Sequence, residues 1–144
     1  MNAATNATEL VEALYVAYNS HRMGDVAAFY AVGATHEDIA HGRPKVGAQA
    51  IVEGLQKFLG WFPDAAWKLE SIITDTNEKA AVQYTLTGTL SAALGPIVPR
   101  GQKISLRGLM VLTLEDGKIS RSEDYWDATT FQKQLNSNTP EDRS

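Results

Sequence analysis

Apolar residues recur at helical spacing in four parts of the chain. Asn6 followed by Glu9 has the pattern of a capping box, and Leu10, Leu14 and Tyr18 then fall on one face of a helix that stops near residue 19. Similar spacing or a capping signal predicts three further helices, at 25–30, 48–59 and 128–135. Asp127 is expected to cap the last of them.

Elsewhere apolar and polar residues alternate, which is typical of strands. The alternation predicts strands at 34–40, 67–74, 80–91, 103–114 and 119–126, with a hairpin turn at Glu115-Asp116-Gly117-Lys118. Helices come first and antiparallel strands follow, which indicates an α+β fold. We expect a curved antiparallel sheet with the N-terminal helices on one face, forming a cone with an internal pocket. We expect a homodimer to cover the other face.

The composition fits one domain that spans 1–144, with a core at about 7–135 and a polar tail at 136–144. The chain has 144 residues, of which 44% are hydrophobic, and no cysteine. Disulfides and cysteine chemistry are therefore excluded. The net charge of −4, without a basic stripe, argues against nucleic-acid binding. With neither a membrane-spanning apolar stretch nor a signal-peptide pattern, we expect a cytoplasmic protein that does not bind membranes.

Asp124 is the strongest candidate for a catalytic group. On a regular strand it shares one face with Ser122 and Trp126, while Arg121 and Tyr125 share the other. If the first face is buried, lost solvation raises the pKa of Asp124 and makes it a usable general acid or base. Alternation alone does not say which face is inside, so a solvated carboxylate remains the alternative.

A second polar group occurs on the first predicted strand, where His36 and Asp38 share a face and could hold or shuttle a proton. His41 follows in the next loop. Three such groups suggest a metal site, but the sequence lacks HExxH or a similar ligand spacing, so we expect no metal. The alternative for His36 is a partly exposed strand residue.

Other residues could bind a substrate. Arg107, in the middle of a strand, could pair with Asp124 or an anionic substrate group, or form a salt bridge on the sheet surface. Large flat side chains could stack on an aromatic substrate, the alternative for each being ordinary core packing. They include Tyr15, Tyr18, Trp61, Trp67, Tyr84 and Trp126.

Five segments together resemble the SnoaL-like polyketide cyclases, which share the fold of nuclear transport factor two. They are YNSH, HGRPKVGAQAI, FPDAAW, GTLSAALGPIVPRGQKISLRG and EDGKISRSEDYWDATTFQKQL, and they span about residues 10–135. The resemblance implies ring closure of a polyketide ester by intramolecular aldol condensation, without a metal or organic cofactor. It implies that Asp124 transfers the proton, and it puts Met110 near the position where the family often has a histidine, so we expect Met110 to contact the substrate.

The segment ATHEDIAHGRPKVGAQAI also resembles ketosteroid isomerase, whose general base falls on Asp38 and whose tyrosine falls next to Tyr15. The leading hypothesis is a cofactor-independent enzyme that performs acid–base chemistry on a hydrophobic, polycyclic or ring-forming small molecule. The alternatives are a dimeric small-molecule-binding domain without catalysis, a ketosteroid-type isomerase, and a limonene-type epoxide hydrolase that uses Asp38, Arg107 and Asp124.

Overall fold

The first helix begins where the capping box predicts. In the computed structural model, which describes residues 6–137, helix α1 spans Ala7–Ser20. The Asn6 side chain accepts a 2.8 Å hydrogen bond from the Glu9 amide, and the Glu9 carboxylate accepts one from the Asn6 amide. Most of the predicted polar tail, 138–144, lies outside the described residues.

Three more helices follow along the chain: α2 Met23–Ala27, α3 Ala48–Trp61 and α4 Ala128–Leu135. The prediction for α2 was too late in the chain, because Tyr30 already begins the first strand. Asp127 caps α4 as predicted, since its carboxylate accepts a hydrogen bond from the Thr129 amide. Among the described residues, no helix combines the length and apolar character that crossing a bilayer requires.

Six strands form one curved, unclosed sheet in the order β2-β1-β6-β5-β4-β3. Their bounds are β1 Tyr30–Asp38, β2 Lys45–Val46, β3 Ala66–Asp75, β4 Lys79–Thr89, β5 Lys103–Glu115 and β6 Lys118–Tyr125. Strand β2 lies between the predicted strand at 34–40 and the predicted helix at 48–59, where the alternation indicated no strand. The predicted α+β fold is confirmed.

One strand pair departs from the antiparallel prediction. β1 runs parallel to β6, whereas the other neighbouring strands are antiparallel. A parallel pair cannot be closed by a tight turn and needs a long connection. Here that connection includes most of the chain, and it places the C-terminal half of β1 beside the last strand.

The helices cover one face of this sheet, which we call the inner face. Its core consists of fully buried side chains from helices and strands, including Val11, Leu14, Val26, Val82, Leu112 and Ile119. The opposite, outer face carries exposed side chains such as Lys68, Gln83 and Arg107. A groove of about 700 Å³ runs along the outer face beside Arg107 and Tyr125.

Candidate active site

The side-chain alternation on β6 directs Asp124 to the inner face. Ser122 is 0% exposed, and Asp124 and Trp126 are partly buried on the same face. Arg121 is exposed, and Tyr125 is 41% exposed on the other face. The structure therefore settles the orientation that the sequence left open.

The parallel pairing of β1 with β6 brings the two predicted polar groups together. His36 pairs with Ser122, and Asp38 pairs with Asp124. The imidazole of His36 lies 2.7 Å through Nδ1 from Ser122 Oγ and 3.5 Å through Nε2 from Asp38 Oδ1. Trp126 Nε1 donates a 3.4 Å hydrogen bond to the same oxygen of Asp38. These contacts link both strands through their side chains.

Tyr84 is a member of this cluster that the sequence did not identify as a site residue. Its hydroxyl donates a 2.7 Å hydrogen bond to Asp124 Oδ1. The sequence marked Tyr84 only as one of several apolar surfaces, because nothing local connects it with a carboxylate 40 positions further along. Tyr30 adds a second hydroxyl to the cluster, 3.1 Å from Ser122 Oγ.

The two carboxylates have pKa values displaced in opposite directions. Burial, reinforced by the negative charge of Asp38, raises the pKa of Asp124 to about 6, although the hydrogen bond from Tyr84 and the nearby His36 act against the rise. For Asp38, burial alone would raise the pKa. Hydrogen bonds from His36 and Trp126 and the charges of His36 and Lys45 outweigh this, and the pKa of Asp38 is lowered. Such a split is typical of paired groups in which one stays ionised and the other exchanges a proton.

Hydroxyl donors surround this carboxylate pair. Burial and the charge of Asp124 raise the pKa of Tyr84 and of Tyr15 above the ordinary tyrosine value. Burial also raises the pKa of Tyr18 and of Tyr30. All four hydroxyls therefore stay protonated at neutral pH and serve as neutral donors or acceptors.

Aromatic and sulfur-containing side chains fill the inner face beside the cluster. The ring of Tyr18 packs edge-on against Tyr15 at 4.9 Å and stacks on Trp67 at 5.2 Å. The Tyr18 hydroxyl lies 3.9 Å from Met110 Sδ, and Met110 pairs directly with Asp124 across β5 and β6. Three predicted substrate-binding residues, Tyr15, Trp67 and Met110, thus lie on the same side as Asp124.

A partly exposed aromatic group lies between the cluster and solvent. Trp126 packs against Phe131 at 5.6 Å and against the exposed His41 at 5.4 Å. Phe131 in turn packs near Phe62, and Phe62 packs against Phe58. Trp126, Phe131 and Phe58 all retain partial exposure. These side chains form a partly exposed apolar rim beside Asp38.

Two predicted residues lie outside this arrangement. Arg107 is exposed on the outer face, opposite Thr85, because its position on β5 alternates with that of Met110. The predicted pairing of Arg107 with Asp124 is therefore wrong, and the carboxylate–arginine set of an epoxide hydrolase is not assembled. Trp61 ends α3 with the Lys57 ammonium 5.5 Å from its ring, and within 6–137 it makes no ring contact with the cluster.

Among residues 6–137, one group could hold a metal, and it consists of His36, Asp38 and Asp124. Each offers one ligand atom, and these atoms lie within 4.8 Å of one another. Atoms of this trio already hydrogen-bond to Ser122, Trp126 and Tyr84.

Comparison with known proteins identifies the family and the fold. The family model of the SnoaL-like polyketide cyclases matches residues 8–135. No curated protein sequence matches this chain.

Many solved structures share this architecture. A candidate polyketide cyclase from Xanthomonas campestris pv. campestris has a TM-score of 0.79 and 25% identity, covering 90% of this chain and 96% of its own. IdmH, a candidate polyketide cyclase from Streptomyces antibioticus, has a TM-score of 0.81 and 20% identity, covering 92% of this chain and 100% of its own. A protein with a ketosteroid isomerase-like fold from Catenulispora acidiphila, in complex with trimethylamine, has a TM-score of 0.76 and 14% identity, covering 88% of this chain and 92% of its own.

Proposed function

We propose that this chain, which belongs to the SnoaL-like polyketide cyclase family, catalyses a cofactor-independent ring closure or a related proton-transfer reaction on a hydrophobic carbonyl compound. The observation that carries the proposal is the carboxylate pair of Asp38 and Asp124, adjacent on parallel strands, with their pKa values displaced in opposite directions. Perturbed carboxylates in a partly closed aromatic setting are typical of acid–base sites.

In this proposal Asp124 acts first as a general base. Its carboxylate takes a proton from a carbon next to a carbonyl group, and the electron pair of that C–H bond forms an enolate. The enolate carbon attacks a second carbonyl of the same molecule, so a C–C bond forms and the attacked oxygen becomes an alkoxide. Asp124 then returns its proton to that oxygen. The reaction is redox-neutral and leaves Asp124 as it began, so it consumes no co-reactant.

The surrounding groups support this cycle in defined ways. Asp38 remains ionised, and its charge makes Asp124 a stronger base than an isolated carboxyl group. His36 holds Asp38 in place through Nε2 and is itself held by Ser122. Tyr84 keeps one oxygen of Asp124 hydrogen-bonded. A group fixed in this way contributes about 10²–10⁴-fold to the rate.

The proposed substrate is a hydrophobic, polycyclic or ring-forming molecule. Trp126 and Phe131 keep partly exposed rings near Asp38, and Tyr15, Trp67 and Met110 are buried in the core on the same face of the sheet. Flat aromatic molecules stack well on such surfaces. Isomerisation of a steroid-like ketone would start from the same proton abstraction, so the substrate distinguishes the two reactions.

A binding domain without catalysis is the alternative, and it predicts carboxylates that are neutralised by salt bridges. Among the described residues Asp124 forms no ion pair, and its only side-chain hydrogen bond comes from a neutral tyrosine. This arrangement favours the enzyme.

Two matched variants test the proposal. Poly-β-carbonyl aromatic esters are incubated with the protein, and conversion to a product of equal mass, or of a mass lower by one water, is followed by chromatography and mass spectrometry. We expect Asp124→Asn to abolish conversion while the protein stays folded. Asp127→Asn should retain conversion, because Asp127 is an exposed helix cap and asparagine caps equally well. A fully active Asp124→Asn variant would end the proposal.

We also propose that the chain forms a homodimer through the outer face of the sheet. Ile73, Ala81 and Val111 are paired directly across β3, β4 and β5 on that face, and Ile73 is 61% exposed. Leu109 and Tyr125 continue the apolar surface along the groove. A two-fold partner would bury this patch without blocking the inner face.

A further inference from the structure

The hydrogen bond between Tyr84 and Asp124 joins two strands that are not neighbours. Tyr84 lies on β4 and Asp124 on β6, and β5 runs between them. Strands two places apart are separated by about 10 Å, twice the spacing of neighbouring strands. The tyrosine side chain must therefore pass over β5 to place its hydroxyl 2.7 Å from Asp124 Oδ1.

The residue under the crossing point is Gly108, which pairs directly with Tyr84. A Cβ atom at this position would overlap the Tyr84 ring at Cζ and the hydroxyl, and it would lie 2.7 Å from Cε1. The atoms it would meet belong to a buried ring, so they have little freedom to move aside. The inward neighbours of Gly108 on β5, Leu106 and Met110, are both large and buried.

Nothing in the backbone of Gly108 requires glycine. Its φ angle lies outside the left-handed region in which six other glycines of the chain fall. Glycine inside a strand weakens it and often marks a close approach of another group. The approaching group here is Tyr84.

We infer that Gly108 and Tyr84 act as one positioning unit for Asp124: the missing side chain at 108 lets Tyr84 hold Oδ1 and leave Oδ2 for the substrate. Within the described residues, no side chain hydrogen-bonds to Oδ2. The inference deepens the proposed function and rests on it, since Oδ2 is the atom that would take the substrate proton.

Several titratable groups face Asp124, and the three atoms nearest to a Cβ at position 108 all belong to one of them, Tyr84. They are Tyr15 and Tyr18 from α1, Tyr30, His36 and Asp38 from β1, and Tyr84 from β4. Of these, Tyr84 is the one that donates to the carboxylate of Asp124. If a substitution at position 108 changes the pKa of Asp124, the change therefore reports on the hydrogen bond from Tyr84.

The test measures the pKa of Asp124 directly, by carbon-detected NMR of its carboxyl group without substrate. Tyr84→Phe removes the donor, and we expect the pKa of Asp124 to rise by about one unit, the effect of losing one hydrogen bond to a charged group. Gly108→Ala should raise the pKa in the same direction. In the Tyr84→Phe background, Gly108→Ala should add nothing, because the donor is already gone.

Gly60→Ala is the matched control, since it adds the same methyl group to a glycine with nothing within 4 Å, and it should leave the pKa unchanged. An unchanged pKa in Tyr84→Phe overturns the inference, as does a Gly108→Ala shift that persists in the Phe background. If Gly108→Ala does not fold, Tyr84→Phe still decides, because it only removes a hydroxyl. When a substrate is found, Tyr84→Phe should lower kcat more than it changes KM. Inactivity of the wild type on carbonyl substrates would count against the proposed function and leave this result intact.

Discussion

Asp38 and Asp124 stand opposite each other on the parallel strands β1 and β6, and their environments differ although they are neighbours. Asp38 receives hydrogen bonds from His36 and Trp126, whereas Asp124 receives one from Tyr84, a weak acid that stays neutral. Two like charges this close favour one ionised and one protonated carboxyl group.

The rate of the proposed reaction should follow the ionisation of Asp124. Because the base must be ionised, kcat/KM should fall about tenfold per pH unit below the pKa of about 6 and level off above it. Asp38→Asn removes a negative charge that raises this pKa, so the inflection should move to lower pH. The pH–rate profiles of the wild type and of Asp38→Asn test this. Asp127→Asn is the control, and its inflection should stay at the pH of the wild type. If Asp38→Asn leaves the inflection of the pH–rate profile in place, the electrostatic coupling between Asp38 and Asp124 is contradicted.

Asp124 should make the protein less stable at neutral pH. Burial raises its folded pKa to about 6 from the ordinary value of 3.8, so the folded state holds the proton more tightly than the unfolded state does. Its contribution to the free energy of unfolding is therefore largest below about pH 4 and declines as the pH rises to about 6. The decline is on the order of 3 kcal/mol.

Asp124→Asn removes this dependence. At pH 8 we expect the variant to be more stable than the wild type by about 1–3 kcal/mol, and the difference should disappear near pH 4. Urea unfolding at both pH values measures it. Equal stability of the two proteins at pH 8 would show that Asp124 is not destabilised by burial.

Two glycines of α3 should respond differently to alanine. Glycine inside a helix costs about 1 kcal/mol relative to alanine, and Gly60 has nothing within 4 Å, so Gly60→Ala should stabilise the protein by about 0.5–1 kcal/mol. A Cβ at Gly54 would lie 2.7 Å from Cε of Lys45, a flexible atom that can move away. Gly54→Ala should stabilise less, and Lys45→Ala should remove the difference. Denaturation midpoints of Gly60→Ala, Gly54→Ala, Lys45→Ala and the double variant Gly54→Ala/Lys45→Ala test this. If Gly54→Ala still stabilises the protein less than Gly60→Ala when Lys45 is alanine, the explanation is refuted.

The outer face should hold two copies of the chain together. Val111 lies at the centre of the apolar patch, opposite Glu123 on β6. Val111→Lys places a charge in the proposed interface, and in the monomer that charge lies at the solvent-facing surface opposite Glu123, which already pairs with Arg121, so we expect folded monomers. Light scattering after size-exclusion chromatography gives the mass, and the exposed Val32 on β1 provides the control variant Val32→Lys. A monomeric wild type would contradict the proposed dimer.

The features that the sequence predicted well depend on local chemistry. The capping box of Asn6 and Glu9 and the cap at Asp127 involve atoms a few residues apart. The turn at Asp116 and Gly117 has φ angles of 52° and 76°, as a tight hairpin requires. Such signals are readable because the partners are neighbours in the chain.

The features that the sequence did not show depend on strand order. The parallel pairing of β1 with β6 selects Asp38 as the neighbour of Asp124, and no local pattern encodes it. The same holds for Tyr84, whose link to Asp124 follows from the register of three strands and from the gap at Gly108. Arg107 shows the converse: once the register puts Met110 beside Asp124, alternation excludes Arg107 from the same face.

The parallel pairing of β1 with β6 determines when, during synthesis of the chain, the proposed active site can form. His36 and Ser122 are 86 positions apart, and β1 can pair with β6 only after the strands between them in the chain have been synthesised. Contacts of such long range form slowly, because the loop they close is costly in entropy. A nascent chain still lacking its last strand has Asp38 without Asp124. The proposed ring-closing activity would thus require the complete fold, and a chain whose synthesis stopped before β6 would be inactive.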